Sequence, residues 1–460
     1  MTETVVAAKF IDPAGVGRSG AGGRIDVVSI VDASPTGAFI LGVVALCAGV
    51  SFLDGFDILA ISYVAPVIGK AWALPKEAFG PIFAAHYVGA SLGSVFFGWY
   101  ADRYGRRMGV IVPTAIFGVF ALLTVFAYDF RSLLLLRALI GVGLGGALSN
   151  AIAMVAEYSP HRARATLVSL MYAAFPLGGV LGGPLSAFLI PRYGWQSVFV
   201  VGGVLPLLLM LALVLWLNES IRFLVLSRAP ADRIGSLLHR ISPAFRYAAG
   251  DEFILGQKQD ISTRPTREIF SREHVRATVL LCLAAFTAQL VIVYVVTWMP
   301  LVLASIGMPV TSAILASVAF SVGGIVGAIG LARLIDRYKS YGWLIATFFA
   351  SAAAIAGIGF LAADWYALLA ITAVTGLLTV GANIVLSAYS ATVYPTSIRS
   401  TGVGWVVGWG RVGAIAGALF GTALVAIGLT IESAYMIAAV PAVVGGLAVA
   451  FVRARHHSNA

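Results

Sequence analysis

The sequence predicts an all-α membrane protein with twelve transmembrane helices in two pseudo-symmetric six-helix bundles. Three observations predict it. Hydrophobic residues make up 60% of the 460 residues and charged residues 11%, with a mean hydropathy of +0.95, whereas soluble domains carry about 25% charged residues. The apolar residues gather in twelve runs, each near the ~20 residues that cross a hydrocarbon core of ~30 Å. A set of short motifs also recurs at a near-constant spacing of half the chain.

The first run, 37–69, contains Asp54 and Asp57. They stand one helical turn apart and so share one side of the helix. A carboxylate in hydrocarbon costs roughly 2.5–3.5 kcal/mol on insertion scales, so both are expected to face a cavity or a partner. Runs follow at 78–100, 108–128, 132–156, 165–189 and 195–217, then at 277–304, 312–335, 342–362, 366–393, 400–427 and 431–452. Between the two sets lies the polar segment 218–276, with ten basic residues. The expected organisation is a tail of residues 1–36, a bundle over 37–217, a central loop over 218–276, a bundle over 277–452 and a tail over 453–460. The first tail is read as disordered. The 51 glycines suit close packing of transmembrane helices. Cys47 and Cys282 fall inside runs and are read as packing residues.

Basic residues fix the expected orientation. With both termini in the cytoplasm, 24 of the 30 Lys and Arg fall on that side. Four (Lys70, Lys76, Arg131, Arg192) fall outside, and Arg137 and Arg411 lie within runs. That asymmetry obeys the positive-inside rule, so a multi-pass protein of the cell inner membrane with cytoplasmic termini is expected. The net charge of +10 follows the loops rather than one face, which argues against a nucleic-acid partner. No G-x-x-x-x-G-K-[ST] loop, nucleophile–base pair or metal-ligand spacing is present. Neither an enzyme nor a bound cofactor or metal is expected.

The halves echo each other. Gly89, Gly93 and Asp102-Arg103-Tyr104 return as Gly323, Gly327 and Asp336-Arg337-Tyr338, 234 residues on; Arg164 returns as Arg399, 235 on. Chance matches would not keep one offset. An internal duplication is expected of transporters whose site lies between two repeats.

Particular motifs carry a family resemblance. Gly98-x-x-x-Asp102-Arg103-x-Gly105-Arg106-Arg107 resembles the signature loop of the major facilitator superfamily. Arg137-x-x-x-Gly141-x-Gly143-x-Gly145-Gly146 and Asn218-Glu219-Ser220-Ile221-Arg222 resemble two further motifs of it. Asp54-Gly55-Phe56-Asp57 resembles the D-G-x-D signature of the aromatic acid:proton symporter family, with further matches at Glu157, Arg399 and Arg411. The resemblance implies import of an aromatic carboxylic acid of the hydroxybenzoate, benzoate or phthalate kind together with protons. It also implies a cytoplasmic gate of Gly98, Asp102, Gly105, Arg106, Glu157, Asp336 and Arg399. The loop after Asp336 lacks the G-R-R of the first copy, so the latch is expected to be asymmetric. Gly179-x-x-x-Gly183-Pro184 is part of an antiporter motif but continues with Leu185-Ser186-Ala187, which weakens an efflux reading.

Depth singles out the candidate site. Arg411 is twelve residues beyond Arg399, about 18 Å into the membrane at ~1.5 Å per residue. Its planar fork suits a carboxylate, so it is the candidate anchor for the substrate, or else a structural ion pair with an Asp of the first half. Asp54, Asp57 and Arg137 are the candidates for proton coupling. One Asp serving as a backbone cap, and Arg137 serving only charge balance, remain open. Asp57, Tyr87, Gln289, Tyr294, Trp298, Asn383 and Trp409 are further candidates to surround an aromatic ring, against ordinary packing roles. Glu157 is expected to join Arg162 or Arg164 at the cytoplasmic end. The expected partners are a small aromatic carboxylate, protons and the lipid bilayer, with the chain acting as a monomer. Rival readings are a facilitator of muconate, another dicarboxylate, a sugar or a drug, and a non-transporting membrane sensor.

Overall fold

In the computed structural model the described residues are 24–243, 245–247, 251–255, 265–338, 342–395 and 397–456. Among them, twelve helices are long and apolar enough to cross a membrane. In chain order, spans 1 to 6 are Ala38–Ala71, Lys76–Tyr104, Arg106–Phe126, Phe130–Tyr158, Arg164–Tyr193 and Gln196–Trp216. Spans 7 to 12 are Val275–Ser305, Val310–Leu331, Gly342–Leu361, Trp365–Val393, Arg399–Ala426 and Ile431–Val452. Span 5 is broken at Ala173. Pro176 has no N–H to give the Tyr172 carbonyl and its ring crowds that carbonyl, so the helix restarts there.

The duplication is visible in the packing. Gly89 of span 2 lies against the Ala138 carbonyl of span 4, and Gly323 of span 8 against the Ala373 carbonyl of span 10. Gly178 of span 5 lies against the Phe52 carbonyl of span 1, and Gly413 of span 11 against the Phe286 carbonyl of span 7. At each crossing a Cβ would collide with the facing backbone, so helices approach at the same points in both halves.

Among the described residues, the apolar contact between the two halves gathers toward one face. Spans 1 and 12 begin and end on the same face, the terminal face. Toward the opposite face one apolar cluster runs across both halves: Tyr63, Phe79 and Phe83 pack with Val291, Trp298 and Ala418. Phe83 meets the Trp298 ring edge-on at 5.7 Å. Toward the terminal face the cores separate, one around Val44, Met154 and Leu213, the other around Leu281, Phe348 and Val449.

The first tail corrects the sequence reading. Residues 1–23 lie outside the described residues, but Arg24–Asp26 (β1) pairs in parallel with Glu252–Ile254 (β2) of the central loop. Asp26 caps the helix Val27–Ala33 by accepting from the Val28 N–H. Val27 and Val31 are buried, and this helix packs on the helix Ala231–Ile241. That second helix buries Ile234, Leu237, Leu238 and Ile241, an i, i+3, i+4, i+7 stripe. The tail's order is invisible in local sequence because its partner strand is 228 residues away. The side chains of 453–460 lie outside the described residues.

Candidate functional site

Three ionisable side chains from three spans meet in the interior of the first half. Asp57 of span 1 accepts from both Nη1 (2.9 Å) and Nη2 (2.7 Å) of Arg137 of span 4. Nδ1 of His86 on span 2 lies 3.2 Å from the same Nη2 and 3.6 Å from Asp57 Oδ2. Their exposures are 1%, 0% and 3%. A guanidinium only donates, so His86 Nδ1 accepts and the ring proton sits on Nε2. Two charges this deep are tolerable because the fork satisfies both carboxylate oxygens. Close packing fixes the group: Gly141, one turn from Arg137, lies on the His86 carbonyl.

Asp54, one turn nearer the terminal face, is held differently. It is 7% exposed and makes no hydrogen bond or ion pair among the described residues. Asp57, Arg411 and Arg137 all act on it electrostatically, and it acts in turn on Tyr87 and Tyr172. Gly55 beside it lies on the Phe175 carbonyl, so the D-G-x-D glycine is the seat of the span 1–span 5 crossing.

Arg411 comes from the other half. It is exposed, and its Nη1 donates to Ser94 Oγ of span 2. A guanidinium about 18 Å from a helix end cannot face lipid without a large cost. Its bond to the opposite half places it in the space between bundles. Gln289 of span 7 packs beside it against Gly410, and Trp409 stands 6.5 Å from the Phe286 ring.

Other candidates fall elsewhere. Tyr294 is buried within the second half between Phe420 and Tyr435. Trp298 is fully buried, donating Nε1–H to the Ala418 carbonyl and closing the far-side seal against Phe83. These two large rings are used for packing in this conformation rather than offered to a ligand. Tyr87 is half-buried, edge-on to His86 at 5.4 Å. Asn383 of span 10 is half-buried, and its backbone carbonyl receives Ser387 Oγ–H. Sequence reasoning missed Ser94, which had no signal beyond its register with Arg411, and gave His86 little weight, because a single ionisable ring in the apolar stretch from Gly80 to Gly89 is weak evidence by itself.

The terminal-face cluster lies within the first half. Arg106 pairs with Asp102 at 2.8 Å and with Glu157 at 3.4 Å, and reaches the Asn150 amide oxygen. Glu157 accepts from Ser220 Oγ–H. Gly105 takes φ +101, a region open to glycine, and its missing side chain admits Glu219, which accepts from the Arg107 and Ser220 N–H groups. Glu157 therefore pairs with Arg106, not with Arg162 or Arg164. Arg162 instead donates to the carbonyls of Asp32 and Ser34, groups supplied by the ordered tail. Gly98 has open space around it, and Arg399 is exposed, donating to the Tyr394 carbonyl of its own half. Neither touches the cluster. The side chain of Asp336 lies outside the described residues.

A duplicated twelve-span bundle with charge in the space between its halves is matched by known proteins. The model of the Major Facilitator Superfamily matches residues 47–364 and 281–460. The chain belongs to that superfamily. It is a multi-pass membrane transporter, not an enzyme. It is similar to a gallate transporter of Pseudomonas putida, 35% identical over 425 residues that span 92% of this chain and 94% of the relative. A 4-hydroxybenzoate transporter of the same organism is 35% identical, spanning 95% of this chain and 98% of the relative. The fold resembles that of a crystallised D-xylose–proton symporter, with a TM-score of 0.70, 16% identity and coverage of 89% and 97%.

Proposed function

We propose that this transporter imports an aromatic carboxylic acid of the hydroxybenzoate, benzoate or phthalate kind together with a proton. The observation that carries the reading is Arg411: an exposed cation at mid-membrane depth, between the bundles, within electrostatic range of an unpaired Asp54. A carboxylate docking on that fork displaces Ser94 and is flanked by Trp409 and Gln289. The names of the relatives, transporters of gallate and 4-hydroxybenzoate, support the substrate class. Asp54 and Asp57 form the proposed proton-loading pair, two carboxylates one helical turn apart in the interior of span 1. The potential adds about 2.3 kcal/mol per charge per 100 mV. The excess of basic residues on the terminal face supports cytoplasmic termini in the inner membrane. In that orientation the far-side seal is the outer gate. The Asp102–Arg106–Glu157 cluster is the inner latch of the first half, and both halves of the path come from one chain, so a monomer suffices.

Proteoliposome uptake of labelled 4-hydroxybenzoate under an imposed pH gradient, acidic outside, tests the reading. Accumulation should depend on the gradient and be competed by benzoate and gallate but not by xylose. Arg411→Lys keeps the charge but loses the fork, and is expected to weaken apparent affinity at least tenfold, on the order of 1.4 kcal/mol. Wild-type affinity in that variant would remove the anchor, and gradient-independent uptake would remove the coupling.

A further inference from the structure

The grip on Asp57 resists the step that symport demands of it. Both carboxylate oxygens are already taken, by two N–H groups of one guanidinium at 2.9 and 2.7 Å, so an O–H bond can form there only where one of these hydrogen bonds is given up. Arg137 stays charged whatever Asp57 does, so protonating Asp57 threatens to strand a cation that is 0% exposed. Its Nε already lacks a partner. Such a site needs a second acceptor for the guanidinium. Among the described side chains one exists, His86 Nδ1 at 3.2 Å from Nη2.

We propose that His86 is a positioning residue for proton coupling: Nδ1 keeps the Nη2 hydrogen of Arg137 while Asp57 carries the proton. The proposal rests on the symport reading above. In the loading step a proton from the path forms an O–H bond on Asp57, and the Nη2–H···Oδ2 bond is given up. Nη2–H then points only to Nδ1. When the path opens to the other side the O–H bond breaks, the proton leaves and the two-armed pair re-forms. His86 stays neutral throughout, its proton on Nε2. Few ionisable groups surround it. Span 1 presents Asp57 and, beyond it, Asp54; span 4 presents Arg137; Tyr87 lies edge-on in span 2 itself. Arg411 of span 11 acts on Asp54, a turn away, and Asp54 acts on Tyr172 of span 5. Of these only Asp57 also accepts from Arg137. At the equivalent crossing of the second half, Gly376 lies on the carbonyl of Phe320, so a phenyl ring stands where His86 stands; no ion pair exists there among the described residues.

Full-length protein in proteoliposomes separates this role from packing. His86→Phe keeps a ring and removes the acceptor; His86→Asn keeps an acceptor at the place of Nδ1. Two readouts are taken: the pH dependence of gradient-driven uptake of 4-hydroxybenzoate, and exchange of the same acid at equal acidic pH, which needs no net proton movement. In H86F exchange should persist while the pH midpoint of uptake moves about one unit toward acid, and H86N should stay near wild type. Equal shifts in H86F and H86N would overturn the proposal by making the ring itself the titrating group. So would an unshifted H86F, or a proportional loss of exchange and uptake in both variants. Should H86F fail to fold, H86L set against H86N makes the same comparison. If wild-type uptake ignores the gradient, the symport reading itself has failed; if wild type is coupled and H86F is unshifted, only the His86 role has.

Discussion

The two halves share a scaffold and differ in what they bury at its crossings. Gly178 on Phe52 and Gly413 on Phe286, Gly141 on His86 and Gly376 on Phe320, are the same contacts 234 or 235 residues apart. By that register Asp57, His86 and Arg137 correspond to Val291, Phe320 and Thr372. The latter three are buried as deeply, at 1%, 2% and 0% exposure. Thr372 satisfies its hydroxyl on the Leu368 carbonyl of its own helix. The second half thus shows that this architecture closes without charge. Desolvating an ion pair is costly, and apolar replacements are often neutral or better for stability. The buried Asp57–Arg137 pair and the His86 ring beside it are therefore not required by the architecture, which fits the proposed role in proton movement.

The largest break in the comparison comes from removing one charge. Arg137→Met leaves the Asp57 carboxylate buried without a partner, and a loss of about 3–5 kcal/mol is expected. It should appear as a large fall in Tm in detergent and as lost uptake. The corresponding change in the second half, Thr372→Val, removes a hydroxyl bonded within its own helix and should cost about 1 kcal/mol or less. Asp57→Val combined with Arg137→Met writes second-half chemistry into the first. It should recover most of the stability and none of the gradient dependence. A double variant as unstable as the single would mean that the pair is needed for the fold.

The helix crossings should respond alike in both halves. In Gly178→Ala and Gly413→Ala the new methyl would fall on a backbone carbonyl, which cannot swing away as a side chain can. Each should cost about 1–3 kcal/mol, the usual range for overpacking, and their Tm values should drop together. If one is tolerated and the other is not, the repeat is a sequence echo without a mechanical one.

What could be read from the sequence follows the same division. Span number, the duplication and the depth of Arg411 rest on hydropathy and register, which are local or periodic, and the fold came through them. For Arg137 the sequence left charge balance and proton coupling open, and its partner is Asp57 of span 1. Partners set by rotation of one helix against another could not be read. Glu157 was assigned to Arg162 or Arg164 because they are near in sequence, yet it faces Arg106 across the bundle. Trp298 and Tyr294 look like ligand surfaces in a linear sequence, but only packing reveals that Ala418, Phe420 and Tyr435 enclose them. The order of residues 24–36 depends on a strand in the central loop, beyond any local pattern.

The smallest effect lies at the helix starts, where both halves use one device. Asp129 accepts from the Ser132 N–H to cap span 4, and Asp364, 235 residues on, accepts from the Tyr366 and Ala367 N–H groups to cap span 10. Hydrogen bonds from the Ser132 side chain and backbone hold the Asp129 carboxyl below the usual carboxylate range. A group with a depressed folded pKa contributes stability above its unfolded value, about 3.9 for Asp, and loses it as pH falls through the folded value. Thermal melts should therefore show a shallow acid decline below about pH 4 that Asp129→Asn flattens, since the amide still caps but does not titrate. Asp129→Ala and Asp364→Ala should each lower Tm slightly and by similar amounts at neutral pH. A larger drop for one would locate at that turn, rather than at the buried charges, a second difference between the halves.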